Sequence, residues 1–131
     1  MSRLPKILIV DDEQDIVSTI SEYLTGEDFD VYSYTDPQEA LKEVCRVDPD
    51  VMLVDIMMPE IEGYEFCKQV KSHPRLKNVP VIFLTSRQLS ENPHDFLKSG
   101  GFLFINKPLQ LTKIRDLLNL ITRSAATSRR I

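Results

Sequence analysis

A short apolar run that ends on a single acidic residue is the feature that most constrains how this chain can fold. Residues Val51 to Val54 are all apolar, Asp55 follows them directly, and Pro59 interrupts the loop that comes next. A short apolar run bounded by turn residues is typical of a strand that is buried on both faces. Such a strand would carry the carboxylate of Asp55 to the edge of a sheet, where it can form part of a site.

Three other apolar runs end in polar residues in the same way. Each leads into residues with chemically useful side chains: Lys6–Val10 into Asp11 and Asp12, Val79–Leu84 into Thr85, and Phe102–Ile105 into Asn106 and Lys107. In an open parallel sheet, ligands bind outside the carboxyl ends of the strands, near the point where the strand order reverses. The pattern therefore predicts that these side chains converge with Asp55 on one site.

The stretches between these runs have apolar residues at helical spacing. The predicted helices are Glu13 to about Thr25, a second that begins at the N-cap Asp36 and stops at Asp48, Tyr64–Lys71, Pro93–Ser99, and Leu111 to about Arg123. A second strand is predicted at Val31–Tyr34. Strands that alternate with helices favour right-handed βαβ units and a parallel sheet with helices on both faces.

The ordered set of polar residues resembles the receiver domain of two-component response regulators. The residues that carry the resemblance are Asp11, Asp12, Asp55, Met58, Pro59, Gly63, Thr85, Lys107 and Pro108. It implies a flavodoxin-like, doubly wound sheet of five parallel strands in the order 2-1-3-4-5 with five helices. The receiver domain is expected to cover residues 1–123, and residues 124–131 are interpreted as a polar, basic tail or the start of a linker.

Clustered carboxylates predict a bound cation, because their mutual repulsion is costly unless a positive charge or a proton neutralises it. Ligand sets made only of oxygen suit Mg²⁺, with Mn²⁺ as the other candidate. By the resemblance, Asp12 and Asp55 would bind Mg²⁺ directly together with the backbone carbonyl of Met57. Asp11 would reach the ion through a water molecule.

The resemblance also assigns roles in phosphoryl transfer. Asp55 would be the nucleophile, Lys107 would pair with it and later with a phosphoryl oxygen, and Thr85 would donate its hydroxyl to the phosphoryl group. The peptide bond before Pro108 would be cis. The phosphodonor would be a histidine kinase, a phosphotransfer protein or a small acyl phosphate, so the chain would catalyse only its own phosphorylation and a slow self-dephosphorylation.

The output of such a domain would be a change of surface. Phosphorylation adds negative charge and acceptor oxygens, which would draw Thr85 inward and let Phe104, at the switch position of the family, fill the space. The face formed by the fourth helix, the fifth strand and the fifth helix would then bind a downstream output protein or domain, or a second copy of the chain. Met57 and Arg87 lie where family members tune the lifetime of the phosphoryl group, and their bulk predicts slow loss of phosphate.

Composition excludes several other classes. A net charge of −4 over 131 residues argues against direct binding of nucleic acid, because such domains usually carry a basic patch. No apolar run approaches the roughly 20 residues that span a bilayer, and no signal-peptide core follows Met1, so no membrane insertion and a cytoplasmic location are expected. Cys45 and Cys67 lack a C-x-x-C spacing and are interpreted as buried structural thiols.

Two other functions compete with the phosphorylated switch. A haloacid dehalogenase type hydrolase also uses a strand-end aspartate, but it needs an acid two residues later, where this chain has Met57. A degenerate receiver could serve as a binding module that works without phosphorylation. Loss of an acid, Thr85 or Lys107 would favour that reading, and all are present. The chain is expected to be either a stand-alone receiver or a piece of a longer regulator.

Overall fold

From the first strand to the fourth, strands and helices alternate along the chain, as predicted. The structure, a computed structural model, describes residues 3–86 and 98–130. The strands are β1 Lys6–Val10, β2 Asp30–Tyr34, β3 Val51–Asp55, β4 Val81–Thr85 and β5 Leu103–Asn106. The α-helices of the described residues are α1 Gln14–Gly26, α2 Pro37–Val47, α3 Gly63–Lys71 and α4 Leu111–Arg130, and a 3-10 turn covers Pro74–Leu76.

The strands form one parallel sheet in the order β2-β1-β3-β4-β5, which confirms the predicted doubly wound, flavodoxin-like architecture. The order reverses at β1, which has β2 on one side and β3 on the other. In the register of the sheet, Asp55 lies opposite Leu84, and Thr85 lies opposite Asn106. The carboxyl ends of β3, β4 and β5 therefore reach the same edge.

Two apolar cores lie on the two faces of the sheet, because successive side chains of a strand point to opposite faces. The core under α2 and α3 contains alternate strand residues: Leu8, Val10, Met52, Val54, Val81 and Phe83. The core under α1 and α4 contains their neighbours: Ile7, Ile9, Val51, Leu53, Ile82 and Leu84. Burial on both faces explains why the sequence of these strands is continuously apolar.

The start of α2 shows how local sequence sets a helix boundary. Asp36 has an extended backbone, and its side chain accepts a hydrogen bond from the backbone N–H of Gln38 at 3.0 Å. Pro37 occupies the first helical position, where its missing N–H has no intrahelical partner to lose. The prediction of an N-cap at Asp36 is confirmed.

Three expectations from the sequence differ from the structure. Helix α4 continues to Arg130 instead of fraying after Arg123, since residues 124–130 contain no glycine or proline that would end it. Cys45 is exposed, and only Cys67 is buried, because the inner face of α2 runs through Ala40, Val44 and Val47. Strand β5 begins after Phe102, whose side chain is 56% exposed.

The predicted fourth helix, Pro93–Ser99, lies largely outside the described residues, although Lys98 and Ser99 are helical. Gly100 follows with a φ of 80°, a left-handed conformation that glycine adopts readily after a helix. No helix in the described part of the chain is long and apolar enough to cross a membrane.

Candidate functional site

Three of the predicted side chains meet where β1, β3 and β4 end. Asp55 and Thr85 are the last residues of β3 and β4, and Asp11 directly follows β1. Asp11 is fully buried, and Asp55 and Thr85 are 3% and 2% exposed. The backbone N–H of Asp11 donates to the carbonyl of Tyr34 at 3.1 Å, so the sheet still holds the chain beyond the last strand residue.

The carboxylates of Asp11, Asp12 and Asp55 form a compact cluster. One oxygen of each lies within 4.8 Å of the others, and Asp12 is exposed while its two neighbours are buried. Asp11 Oδ1 accepts a hydrogen bond from the backbone N–H of Glu13 at 3.0 Å. Asp55 Oδ1 accepts one from the N–H of Met57 at 3.3 Å. These bonds orient the two buried carboxylates toward the same space.

This cluster fits a hard divalent cation. Asp11 Oδ2 is buried and accepts no well-directed hydrogen bond within the described part of the chain, although a buried acceptor is normally satisfied. The donor set is all oxygen, without histidine or cysteine, as Mg²⁺ and Mn²⁺ prefer. The buried and exposed members together leave the cluster open to solvent on the side of Asp12.

Lys107 brings the fourth predicted group to the cluster. Its ammonium Nζ lies 3.0 Å from Asp11 Oδ2 and 3.6 Å from Asp55 Oδ1. Its backbone N–H donates to the carbonyl of Thr85 at 2.7 Å, which ties the loop after β5 to the end of β4. The bond between Lys107 and Pro108 is cis, as the resemblance implied.

The ammonium of Lys107 remains charged at this place. Burial lowers the pKa of Lys107, but the hydrogen bond with Glu13, the close contact with Asp11 and the nearby carboxylate charges outweigh burial and leave the pKa raised. Lys107 is therefore a permanent positive charge beside Asp55 at neutral pH. A single cation cannot neutralise the whole cluster, so a net negative field remains.

The pKa of Asp55 reflects its burial first and the charges around it second. It is raised from 3.8 to about 7, mainly because burial removes the carboxylate from water and because the charge of Asp11 repels it. Lys107 and the backbone N–H of Met57 lower the pKa, and a hydrogen bond with Asp12 raises it. Without a cation, Asp55 is only partly ionised near neutral pH.

A pH dependence of stability follows from this raised pKa. The folded protein keeps a proton on Asp55 that the unfolded chain loses above its normal pKa, so stability should fall as the pH rises from about 4 through about 7. Asp55→Asn removes the titrating carboxyl group, so this fall in stability should be absent from the variant. In metal-free buffer, the variant should therefore gain roughly 2 kcal/mol over the parent between pH 5 and pH 8, measured by urea unfolding.

The exposed variant Asp28→Asn is the control for that comparison. Asp28 has a φ of 67°, which asparagine also tolerates, so Asp28→Asn makes the same chemical change at an exposed position. A difference in stability between Asp55→Asn and the parent that stays constant with pH would contradict a raised pKa at Asp55.

Two of the remaining predicted residues, Met57 and Phe104, lie in the described part of the chain. Met57 is 45% exposed, and its backbone N–H bonds to Asp55, whereas Arg87 lies outside the described residues. Phe104 is half-buried on β5, with its ring centroid 5.9 Å from that of Phe83 and 6.5 Å from that of Tyr64. The rings of Tyr64 and Phe83 meet edge to face at 4.9 Å.

Sequence reasoning missed two parts of the site. Glu13, predicted as the first residue of a helix, contacts Lys107 with its carboxylate at 3.0 Å, and its position directly after the acidic pair was the available signal. The packing of Tyr64 and Phe83 against Phe104 was also missed. Three rings from different elements meet only in the folded chain, so no local pattern could show that contact.

Comparison with known proteins gives a consistent result. Residues 7–119 match the family model of the response regulator receiver domain. Sensory transduction protein BceR of Bacillus subtilis (strain 168) is 34% identical over 106 residues, which are 79% of this chain and 43% of that protein. Regulatory protein AtoC of Escherichia coli (strain K12) is 34% identical over 125 residues, which are 95% of this chain and 26% of that protein. The chain thus spans less than half the length of these two relatives.

Two solved structures resemble this chain in fold and are covered by it over almost their whole length. The chemotaxis response regulator CheY4 of Vibrio cholerae has a TM-score of 0.84 and 27% identity, with 90% of this chain and 98% of that chain covered. The BeF3-activated N-terminal receiver domain of RstA from Klebsiella pneumoniae has a TM-score of 0.80 and 28% identity, with the same coverage of both chains.

Proposed function

This chain belongs to the family of response regulator receiver domains, and we propose that it is a phosphorylation-activated switch of a two-component system with Asp55 as the phosphoacceptor. One observation carries the proposal: the buried carboxylate of Asp55 lies beside those of Asp11 and Asp12 and 3.6 Å from the Lys107 ammonium. Phosphoryl transfer depends mainly on positioning and charge neutralisation. This arrangement supplies a nucleophile and one of the positive charges that it requires.

The acidic cluster would hold the second positive charge. Asp12, Asp55 and the backbone carbonyl of Met57 would bind Mg²⁺ or Mn²⁺ directly, with Asp11 acting through water. When bound, such an ion supplies the charge that lets an anionic phosphoryl group approach an anionic nucleophile. Asp11 Oδ2 supports this assignment, because it is buried and accepts no well-directed hydrogen bond within the described residues, although the Lys107 ammonium lies 3.0 Å away.

The chemical step would use the side chains around Asp55. A carboxylate oxygen of Asp55 attacks phosphorus, the bond from phosphorus to the donor breaks, and its electron pair leaves with the donor group. Lys107 Nζ balances charge on a phosphoryl oxygen, and the buried Thr85 hydroxyl donates a hydrogen bond to another. The donor would be the phosphohistidine of a kinase or phosphotransfer protein, or a small acyl phosphate.

The output would travel through Thr85 and Phe104. Thr85 and Lys107 are joined by a backbone hydrogen bond of 2.7 Å, and Phe104 packs on β5 against Phe83 and Tyr64. A phosphoryl group that draws in Thr85 would therefore move β5 and the ring it carries. The surface around β5, including the exposed Phe102, would change its affinity for an output protein or domain or for a second copy of the chain.

Acyl phosphate in the presence of Mg²⁺ tests the proposal directly. Intact mass should show the gain of one phosphoryl group, and a chelator should prevent the gain. No gain, with Mg²⁺ binding confirmed, would instead favour a binding module that works without phosphorylation. Addition of the phosphorylated kinase would then separate that outcome from a receiver that accepts phosphate only from its own partner.

We expect the phosphorylated chain to lose its phosphate slowly, because neither Met57 nor Arg87 can act as a base for water. The bulk of the two side chains should also shield the phosphoryl group. Replacing both residues with small or acidic side chains should accelerate the loss, by up to about a hundredfold where an acidic side chain assists proton transfer, which is the low end for such assistance. The decay of phosphorylated mass over time measures it, and an unchanged rate would contradict this role.

A further inference from the structure

The carboxylate of Glu13 is an unassigned partner of the Lys107 ammonium. Lys107 Nζ donates a hydrogen bond to Glu13 Oε1 at 3.0 Å. It also lies 3.0 Å from Asp11 Oδ2, but that oxygen accepts no well-directed hydrogen bond within the described residues. Asp55 Oδ1 is farther away, at 3.6 Å. The best-directed bond of the ammonium is therefore made with a residue outside the acidic cluster.

The local backbone explains why Glu13 is free to make this contact. Glu13 is the N-cap residue of α1, but its side chain makes no capping hydrogen bond. Its backbone N–H instead donates to Asp11 Oδ1 at 3.0 Å, which fixes the turn between β1 and α1. The side chain of Glu13 is thereby directed across the rim of the site toward the loop after β5.

The carboxylates that contact the Lys107 ammonium differ in burial, and this difference determines where the ammonium lies. The Lys107 side chain is 12% exposed, and that of Asp11 is fully buried, whereas the side chain of Glu13 is 58% exposed. A bond to Glu13 therefore draws the ammonium outward, away from the buried oxygens that face the cluster. An ammonium that moved fully onto Asp11 and Asp55 would compete with a divalent cation for the same oxygens.

We propose that Glu13 is a positioning residue that holds Lys107 at the rim of the site and so leaves Asp11 and Asp55 available to the divalent cation. The inference rests on the proposed function, because it concerns the same metal-assisted site. The carboxylate of Glu13 bonds to the Lys107 ammonium, whereas the contact of Glu13 with Asp11 is made by the backbone N–H, so the side chain of Glu13 acts through Lys107. After transfer, the same exposed bond is weak enough to release the ammonium toward a phosphoryl oxygen.

Isothermal titration of the full chain with Mg²⁺ tests this role without any phosphorylation step. Glu13→Gln removes the charged partner of Lys107, so the ammonium should settle on Asp11 and Asp55, and Mg²⁺ affinity should fall about two- to fivefold, the range of an exposed ion pair. Asp15→Asn, which removes the same charge two residues farther along α1, is the matched control and should weaken binding less.

The same substitution in a Lys107→Met variant shows whether Glu13 affects Mg²⁺ binding by positioning Lys107 or by its own negative charge. If Glu13 acts through Lys107, Glu13→Gln should leave the Mg²⁺ affinity of Lys107→Met nearly unchanged. The same loss in both backgrounds, or no loss in the parent background, would overturn the inference while leaving the proposed function intact. Failure of the parent chain itself to bind Mg²⁺ would overturn the proposed metal site, and the role of Glu13 with it. Urea unfolding of each variant verifies that the fold is retained.

Discussion

Asp55→Asn is expected to abolish phosphorylation completely, with no gain of mass under conditions in which the parent gains one phosphoryl group. The amide has no negative oxygen to attack phosphorus, so the nucleophile itself is lost. The fold should remain, because asparagine has nearly the same shape as aspartate and can still accept the 3.3 Å hydrogen bond from the N–H of Met57. Removing a buried charge should even raise stability at neutral pH, where the pKa of Asp55 is about 7.

A matched control distinguishes the effect of losing the nucleophile from the effect of losing one negative charge. Asp28→Asn makes the same chemical change at an exposed position with a φ of 67°, and it should gain a phosphoryl group at the rate of the parent. Intact mass after a short and a long incubation with acyl phosphate measures both. A full gain in Asp55→Asn would show that another residue, with Asp11 or Asp12 the nearest, accepts the group.

Gly63→Ala is expected to destabilise the protein by about 2–3 kcal/mol, as overpacking of a dense interior does. A Cβ atom at this position would lie 2.5 Å from the carbonyl oxygen of Asp55 and 2.8 Å from the Cα of Ile56. Both atoms belong to the backbone, so neither can move aside as a flexible side chain would. The first turn of α3 and the end of β3 would have to separate, which would break the 2.8 Å hydrogen bond from the Gly63 N–H to the Ile56 carbonyl.

The same substitution should impair phosphorylation, because Asp55 would be displaced from Lys107 and from the other carboxylates. A displacement of about 1 Å can cost a hundredfold in rate. Gly26→Ala is the control: nothing lies within 4 Å of its added Cβ, and at the end of α1 alanine should be neutral or stabilise by up to about 1 kcal/mol. Urea midpoints compare the two variants, and equal midpoints would mean that α3 can shift without cost.

Much of the fold was predictable because it depends on local patterns. Continuous apolar runs between helical stretches indicate strands buried on both faces, and the N-cap at Asp36 follows from the residue types around Pro37. The strand order was implied by the resemblance to receiver domains, since hydrophobic patterning does not distinguish one order of parallel strands from another. The end of α4 was predicted less well, because a polar, basic sequence without glycine or proline is compatible with a helix as well as with a tail.

Some features of the candidate site were likewise predictable from the sequence, and others were not. Asp11, Asp55 and Thr85 were identified because each directly follows an apolar run in the sequence, and parallel strands bring their carboxyl ends to one edge. The exposure of Cys45 was not foreseen, although it sits beside the buried Val44. On a helix, adjacent residues face different directions, and the direction that is buried depends on where the sheet lies.

The sequence by itself therefore determined the alternation of strands and helices, the burial of the strands and the polar residues at their ends, since these features arise from neighbours in the chain. Only the tertiary structure decided that Lys107 shares its ammonium between Asp11 and Glu13, which lies 94 positions away in the chain. It also decided that α3 approaches the backbone of Asp55 so closely that Gly63 leaves no room for a Cβ. Both contacts join elements that meet through the packing of the whole sheet, and no local pattern of residues encodes a distance between such elements.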